Sequence, residues 1–114
     1  MFYTYHQNNS GGHMDVDLEA GIGDFVIVEA DSVEEANTRA ENIGLYWDGV
    51  LDGYDCECCG DRWDSKWGSE KGDEVPKIYS TPVSEYKESF GGHAFVHYKT
   101  GRIAHYDLKQ REVK

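Results

Sequence analysis

The segment Asp24-Phe25-Val26-Ile27-Val28-Glu29 narrows the fold more than any other stretch of the chain. Its apolar residues are continuous rather than alternating, and glycines and acids flank them, which reads as a β-strand buried on both faces. A helix start follows directly. Ser32-Val33-Glu34-Glu35 fits a capping box, in which the Ser32 hydroxyl serves the amide three residues on and Glu35 reaches back to the cap. Val33, Ala36, Ala40 and Ile43 then fall at helical spacing, acids gather where the helix dipole favours them, and Gly44 is placed to end the helix. The predicted span is 33–43.

Around this strand-to-helix join the other elements are shorter. Tyr3 and Tyr5 alternate against Phe2, Thr4 and His6, the period of a half-buried strand, which should stop at Gln7-Asn8-Asn9-Ser10-Gly11-Gly12. Ala94 to Tyr106 reads as a β-hairpin with Thr100-Gly101 at its tip. A two-residue loop there pairs Lys99 with Arg102 and Tyr98 with Ile103. That register puts Ala94, Val96, Tyr98 and Ile103 on a core face, and His97, Lys99 and Arg102 on the other as a basic patch. Pro76 to Ser80 reads as a short edge strand, and Thr81-Pro82 as the start of a short helix carrying Val83, Tyr86 and Phe90, ended by Gly91. Between Gly44 and Val75 periodicity fails, although the stretch holds all three Trp and all three Cys. Such a length without pattern marks a functional or metal-ordered excursion.

The 114 residues have room for one domain, taken as 1–114. The expected class is α+β: a small, mainly antiparallel sheet with one principal helix packed on one face and a long cysteine-containing loop. Fifteen aromatics, eight of them Tyr, supply burial that aliphatic residues would otherwise provide. The 11 Lys+Arg against 22 Asp+Glu give a net charge of −11, which disfavours general nucleic-acid binding. This charge is unevenly spread: residues 1–75 carry four basic and eighteen acidic side chains, whereas 76–114 carry seven and four. One part can therefore meet an anion that the rest repels. No apolar run approaches a membrane span and the first residues do not resemble a signal peptide, so the expectation is a cytosolic chain with no membrane partner.

Cys56-x-x-Cys59-Gly60 has the spacing of a zinc knuckle, in which two thiolates meet one ion and the glycine lets amides approach the sulfurs. The two further ligands of a structural zinc would come from His6, His13, His93, Asp55, Asp61 or a bridging Cys58. Zinc at Cys56 and Cys59 stands beside a plainer reading, three reduced thiols packing a loop near Trp63 and Trp67. A nucleophilic cysteine is disfavoured, because five flanking acids should raise thiol pKa. His93-x-x-x-His97 has the two-histidine spacing of metalloproteases but lies on a predicted strand, where positions four apart are separated by about 13 Å. Asn8 to Gly12 lacks the Lys-Ser/Thr of a phosphate loop, which leaves a polar nest or an ordinary turn.

Tyr3 to Gly12, Glu29-Ala30-Asp31-Ser32 with Glu35-Ala36-Asn37, Gly44 to Val50, Asp55-Cys56 with Cys59-Gly60-Asp61-Arg62-Trp63, and Ala94 to Tyr98 together resemble a family of small uncharacterised tailed-bacteriophage proteins. The resemblance spans nearly the whole chain. It implies an accessory protein made in the host cytoplasm, of the kind that disables a host defence or metabolic protein or sequesters a nucleotide-type signal. The leading expectation is a non-catalytic binder whose partner is a host protein or a small anionic nucleotide-like ligand, with self-association left open. Its ligand-binding residues would be His6, Asn8, Asn9, Ser10, Gly11, Gly12, Arg62, Trp63, His97 and Arg102. In that set Arg62 and Arg102 pair with phosphate, Trp63 stacks on a base, and the Asn side chains and backbone amides read polar edges. The alternatives are a metal-dependent hydrolase acting on a phosphate-containing substrate, with His6 or Asp55 as base, and an acidic DNA mimic.

Overall fold

A computed structural model describes residues 1–8, 14–67, 70–88 and 91–109. The predicted Asn9, Ser10, Gly11 and Gly12 ligands, the candidate zinc ligand His13 and the predicted helix position Phe90 lie outside these residues. Four strands, β1 (Phe2–His6), β2 (Phe25–Glu29), β5 (His93–His97) and β6 (Ile103–Asp107), form a sheet in the order β1-β2-β5-β6. β1 and β6 run antiparallel to their neighbours, while β2 and β5 are parallel. With the helix α1 (Val33–Ile43) this is an α+β fold with a mainly antiparallel sheet. Among the described residues no helix is long and apolar enough to cross a membrane.

Phe25 to Val28 are all buried, as their unbroken apolar run requires. Val26 and Val28 face α1 and pack with Tyr3, Tyr5, Val33, Ala36, Ala40, Leu45 and Trp63. Phe25 and Ile27 face the opposite way and pack with Ala94, Val96, Ile78, Val83 and Leu108. At roughly 1.5–3 kcal/mol for each large apolar side chain fully withdrawn from water, these two layers are the main source of stability.

The helix keeps its predicted bounds. Ser32 Oγ accepts the Glu35 amide at 3.1 Å, but Glu35 Oε1 accepts the amide of Asp31, one residue before the cap, at 2.6 Å. Gly44, at φ 130°, donates to Ala40 and Glu41, and the Leu45 amide donates to the Ala40 carbonyl at 3.0 Å. The turn thereby drops the Leu45 side chain into the core. Arg39 Nη1 donates to the Glu29 carbonyl and its Nη2 to that of Tyr98, tying the helix to β2 and to the end of β5.

Two sequence expectations are corrected. His97 pairs with Ile103, not Tyr98 with Ile103, because the hairpin loop is three residues long. The Tyr98 amide donates to Arg102, the Gly101 amide donates to Tyr98, and Gly101 adopts φ 94°, the left-handed position of a bulged three-residue loop. A slip of one residue reverses every side chain of β6. Ile103 is therefore exposed, and Arg102 stacks on the Tyr98 ring, with its guanidinium carbon 5.1 Å from the centroid, on the face away from His97. Lys99 turns to Asp31, with Nζ 2.6 Å from Oδ2, so the predicted basic patch is not assembled.

The second correction concerns Thr81-Pro82, which forms β4 (Thr81–Pro82) against β3 (Lys77–Ile78) rather than opening a helix. This ribbon is separate from the main sheet and lies under its second face. Tyr79 and Ser80 join its strands, both at positive φ (50° and 71°), and the Val83 amide closes onto the Pro76 carbonyl. Burial of Ile78 and Val83 in one cluster outweighs the helical pattern, which survives only as the turn in which the Tyr86 amide meets the Pro82 carbonyl.

His97 is 5 % exposed and its Nε2 lies 2.8 Å from the Gly21 carbonyl, so that nitrogen carries the proton and donates. Burial lowers its pKa from the ordinary 6.5, Arg39 adds to this, and the Gly21 bond opposes it. Below about pH 6.5 the unfolded chain binds a proton that folded His97 resists, so stability falls as pH drops through that range. Urea unfolding at pH 7.5 and 5.5 should show a smaller loss for His97→Gln than for the wild type. The same melts at neutral pH should rank two glycines. Gly101→Ala, with open space around its Cβ, should cost about 1 kcal/mol from backbone strain alone. Gly21→Ala should cost more, because its Cβ would meet His97 Cε1 at 2.7 Å, adding an overpacking penalty of about 1–3 kcal/mol.

Candidate functional site

The unpatterned stretch after α1 is held by polar ties. Asn37 Nδ2 donates to the Lys66 carbonyl and its Oδ1 accepts both the Lys66 amide and the Tyr5 hydroxyl. Asn8 Nδ2 donates to the carbonyls of Cys59 and Asp61, and the Asn8 amide to that of Arg62. Beneath them lies a buried knot. Arg62 Nη1 donates to Gln7 Oε1 at 2.8 Å, its Nε lies 3.6 Å from Asp55 Oδ1, and the Arg62 amide donates to Asp55 Oδ2. The Asp55 side chain is fully buried and also accepts the Tyr46 hydroxyl at 3.0 Å. Two charges so enclosed need each other, since removing either leaves the other without compensation in a poorly solvated site.

The predicted ligand residues are consequently dispersed. Arg62 is buried in the knot, and Trp63 is buried in the core below α1, where stacking on a base would require it to leave the core. Asn8 braces the cysteine loop, His97 is bonded to Gly21, and Arg102 sits by Tyr98 at the hairpin. His6 lines a hollow along the edge of β1.

Cys56 is half-buried and Cys58 and Cys59 are exposed. The amides of Cys59 and Gly60 donate to the Cys56 carbonyl at 3.2 and 3.0 Å, and Gly60 is left-handed at φ 89°. Hydrogen bonds from Cys59, then from Cys58, lower the Cys56 thiol pKa. This reverses the expectation drawn from the flanking acids, because local donors aimed at the sulfur outweigh carboxylates that either face water or, like Asp55 with Arg62, are engaged by other partners. Among the described residues no group of three or more His, Cys, Asp or Glu is placed to hold a metal ion.

The hollow that takes in His6 runs along the outer edge of β1. Phe2 exchanges two backbone hydrogen bonds with Asp73 on that side, at 2.8 and 2.9 Å. By the alternation of an antiparallel ladder, the amides and carbonyls of Thr4 and His6 also point outward. The groove beside them has a volume of about 250 Å³, and Lys66, Lys71, Lys77, His6, Tyr79 and Ser80 stand around it. A second hollow of about 220 Å³ adjoins it, sharing His6, Lys66 and Glu70. Burial, then Lys66, lowers the His6 pKa, so its ring is neutral at neutral pH. Tyr79 is 67 % exposed, and its ring centroid lies 4.7 Å from that of His6. The strained backbone of Tyr79 and Ser80 turns both residues toward this groove.

Glu70 and Asp73 also line the groove, and Lys66 Nζ lies 3.9 Å from Glu70 Oε2. Three lysines against two carboxylates still make it locally basic in a chain of net charge −11. Sequence reasoning missed all three lysines. Lys66 and Lys71 come from the acidic part of the chain and Lys77 from the basic part, so the division at residue 75 separates groups that the fold brings together.

No curated protein and no solved structure matches the chain. A family model does, over residues 1–114, and its description is a domain of unknown function, DUF7296. By that match the chain belongs, along its whole length, to the family of the DUF7296 domain of unknown function.

Proposed function

We propose that this chain is a non-catalytic binding protein, made as an accessory protein by a tailed bacteriophage and acting in the host cytoplasm, that captures a small nucleotide-like anion in the groove along β1. The observation that carries the reading is the convergence of Lys66, Lys71 and Lys77 with the rings of His6 and Tyr79 around one hollow. Ammonium groups suit a phosphate, exposed rings suit a base, and the outward amides and carbonyls of Thr4 and His6 suit its polar edge. At about 250 Å³ the groove lies at the small end of ligand sites, which favours a mononucleotide over a larger ligand. The acidic remainder of the surface repels a polyanion while a compact anion reaches the lysines, so the net charge and the groove select together. Phage origin is supported by the sequence blocks, from Tyr3 through Tyr98, that resemble small phage proteins. The roles of Asp55 and Arg62 in the buried knot, and of His97 under Gly21, support a binder, because these groups serve packing.

Calorimetric titration with AMP, ADP and inorganic phosphate tests the proposal. A nucleotide should bind, Lys66→Ala/Lys77→Ala should weaken its Kd at least tenfold, Tyr79→Ala should weaken nucleotide more than phosphate, and Arg102→Ala should have no effect. The bound nucleotide should be recovered intact. Absence of binding, insensitivity to the lysine substitutions, or recovery of a hydrolysed product would each overturn the reading.

A further inference from the structure

His93 and His105 are twelve residues apart in the chain and meet across the β5–β6 ladder. His93 faces Asp107 and His105 faces Phe95 in register, so the two imidazoles are diagonal neighbours on one face of the sheet. His93 Nδ1 lies 2.8 Å from His105 Nε2, and the pair stands at the surface. The His105 ring stacks on Phe95 at a centroid distance of 4.4 Å and an interplanar angle of 8°, and the backbone of His93 is fixed by its amide, which donates to Asp24 Oδ1 at 2.8 Å.

We infer that His93 Nδ1 and His105 Nε2 form a two-histidine chelate for a divalent transition-metal ion, separate from both the groove and the cysteine loop. Metal–nitrogen bonds of about 2.0–2.1 Å, at angles between square-planar and tetrahedral, set two ligating nitrogens about 2.8–3.4 Å apart. The observed 2.8 Å contact lies at the short end of that range, and chelation further requires the two rings to turn from facing one another until both lone pairs converge on one ion. One nitrogen of the contact now donates a proton to the other. On metal binding, that ring's proton passes through water to its other nitrogen, so both lone pairs face the ion and no net proton is released. Asp24 and Asp107 beside the pair add negative potential that favours a cation, and water completes the coordination. Imidazole ligation selects nickel, copper or zinc over magnesium or calcium. Along a strand His93 has no histidine within chelating reach, as the rejected spacing to His97 shows; across the ladder it has one.

Ni²⁺ alone, titrated calorimetrically into the tag-free full-length chain, is the test. The wild type should bind one ion per chain, with Kd at least tenfold weaker in His93→Gln and in His105→Gln and unchanged in Cys56→Ser/Cys58→Ser/Cys59→Ser. Circular dichroism checks folding; if His93→Gln misfolds, His105→Gln, altered at an exposed ring, decides alone. No Ni²⁺ binding, equal binding by the folded histidine variants, or loss only in the serine variant would overturn the inference.

Discussion

Phe25, Val26, Ile27 and Val28 are withdrawn from water on both sides of the sheet, and each side needs its own cover. On one side α1 supplies Val33, Ala36 and Ala40, small enough for the helix to lie close, with Leu45 and Trp63 completing the layer. On the other, the ribbon of β3 and β4 brings Ile78 and Val83, and Leu108 arrives from beyond β6. β2 must also have neighbours on both edges to satisfy its amides and carbonyls, and β5 supplies the second by pairing parallel. The chain therefore has to leave β2, cross one face through α1, and return on the far side.

That return path is ordered by side chains rather than by a ladder. Asn37 grips Lys66 with its amide group, Asn8 grips the cysteine loop, and Gln7, Arg62 and Asp55 form a buried polar knot where the loop passes the end of β1. Among the described residues every buried side-chain nitrogen and oxygen has a hydrogen-bond partner. Such networks specify position strongly because a half-satisfied member is costly in a poorly solvated interior. Here they set the stretch bearing Lys66 and Lys71 beside the open edge of β1, opposite Lys77 and Tyr79 on the ribbon.

The edge itself has two qualities. An open strand edge presents amides and carbonyls to whatever approaches, and proteins usually shield such edges with charge. Lys66, Lys71 and Lys77 shield β1 against pairing with another strand, and the same lysines make the groove attractive to a compact anion. Outside the groove the chain's acids far outnumber its bases, so a basic groove here stands out electrostatically even with Glu70 and Asp73 in its walls.

Local chemistry in the sequence determined β1, β2 and α1, because alternation, an unbroken apolar run and a capping box each act within a few residues. It also determined that a hairpin turns at Gly101. What it left open was whether two or three residues form that turn, and this single residue reverses β6, exposing Ile103 and separating Arg102 from His97. The predicted helix at Thr81 and the reading of Arg62 and Trp63 as ligand groups share one cause: pattern and residue type do not report burial. Burial depends on partners as distant as Ile78 with Val96, or Arg62 with Gln7. Only the tertiary structure brought Lys66, Lys71 and Lys77 to one edge and His93 to His105, since groups held by long-range packing share no local periodicity that a sequence can display.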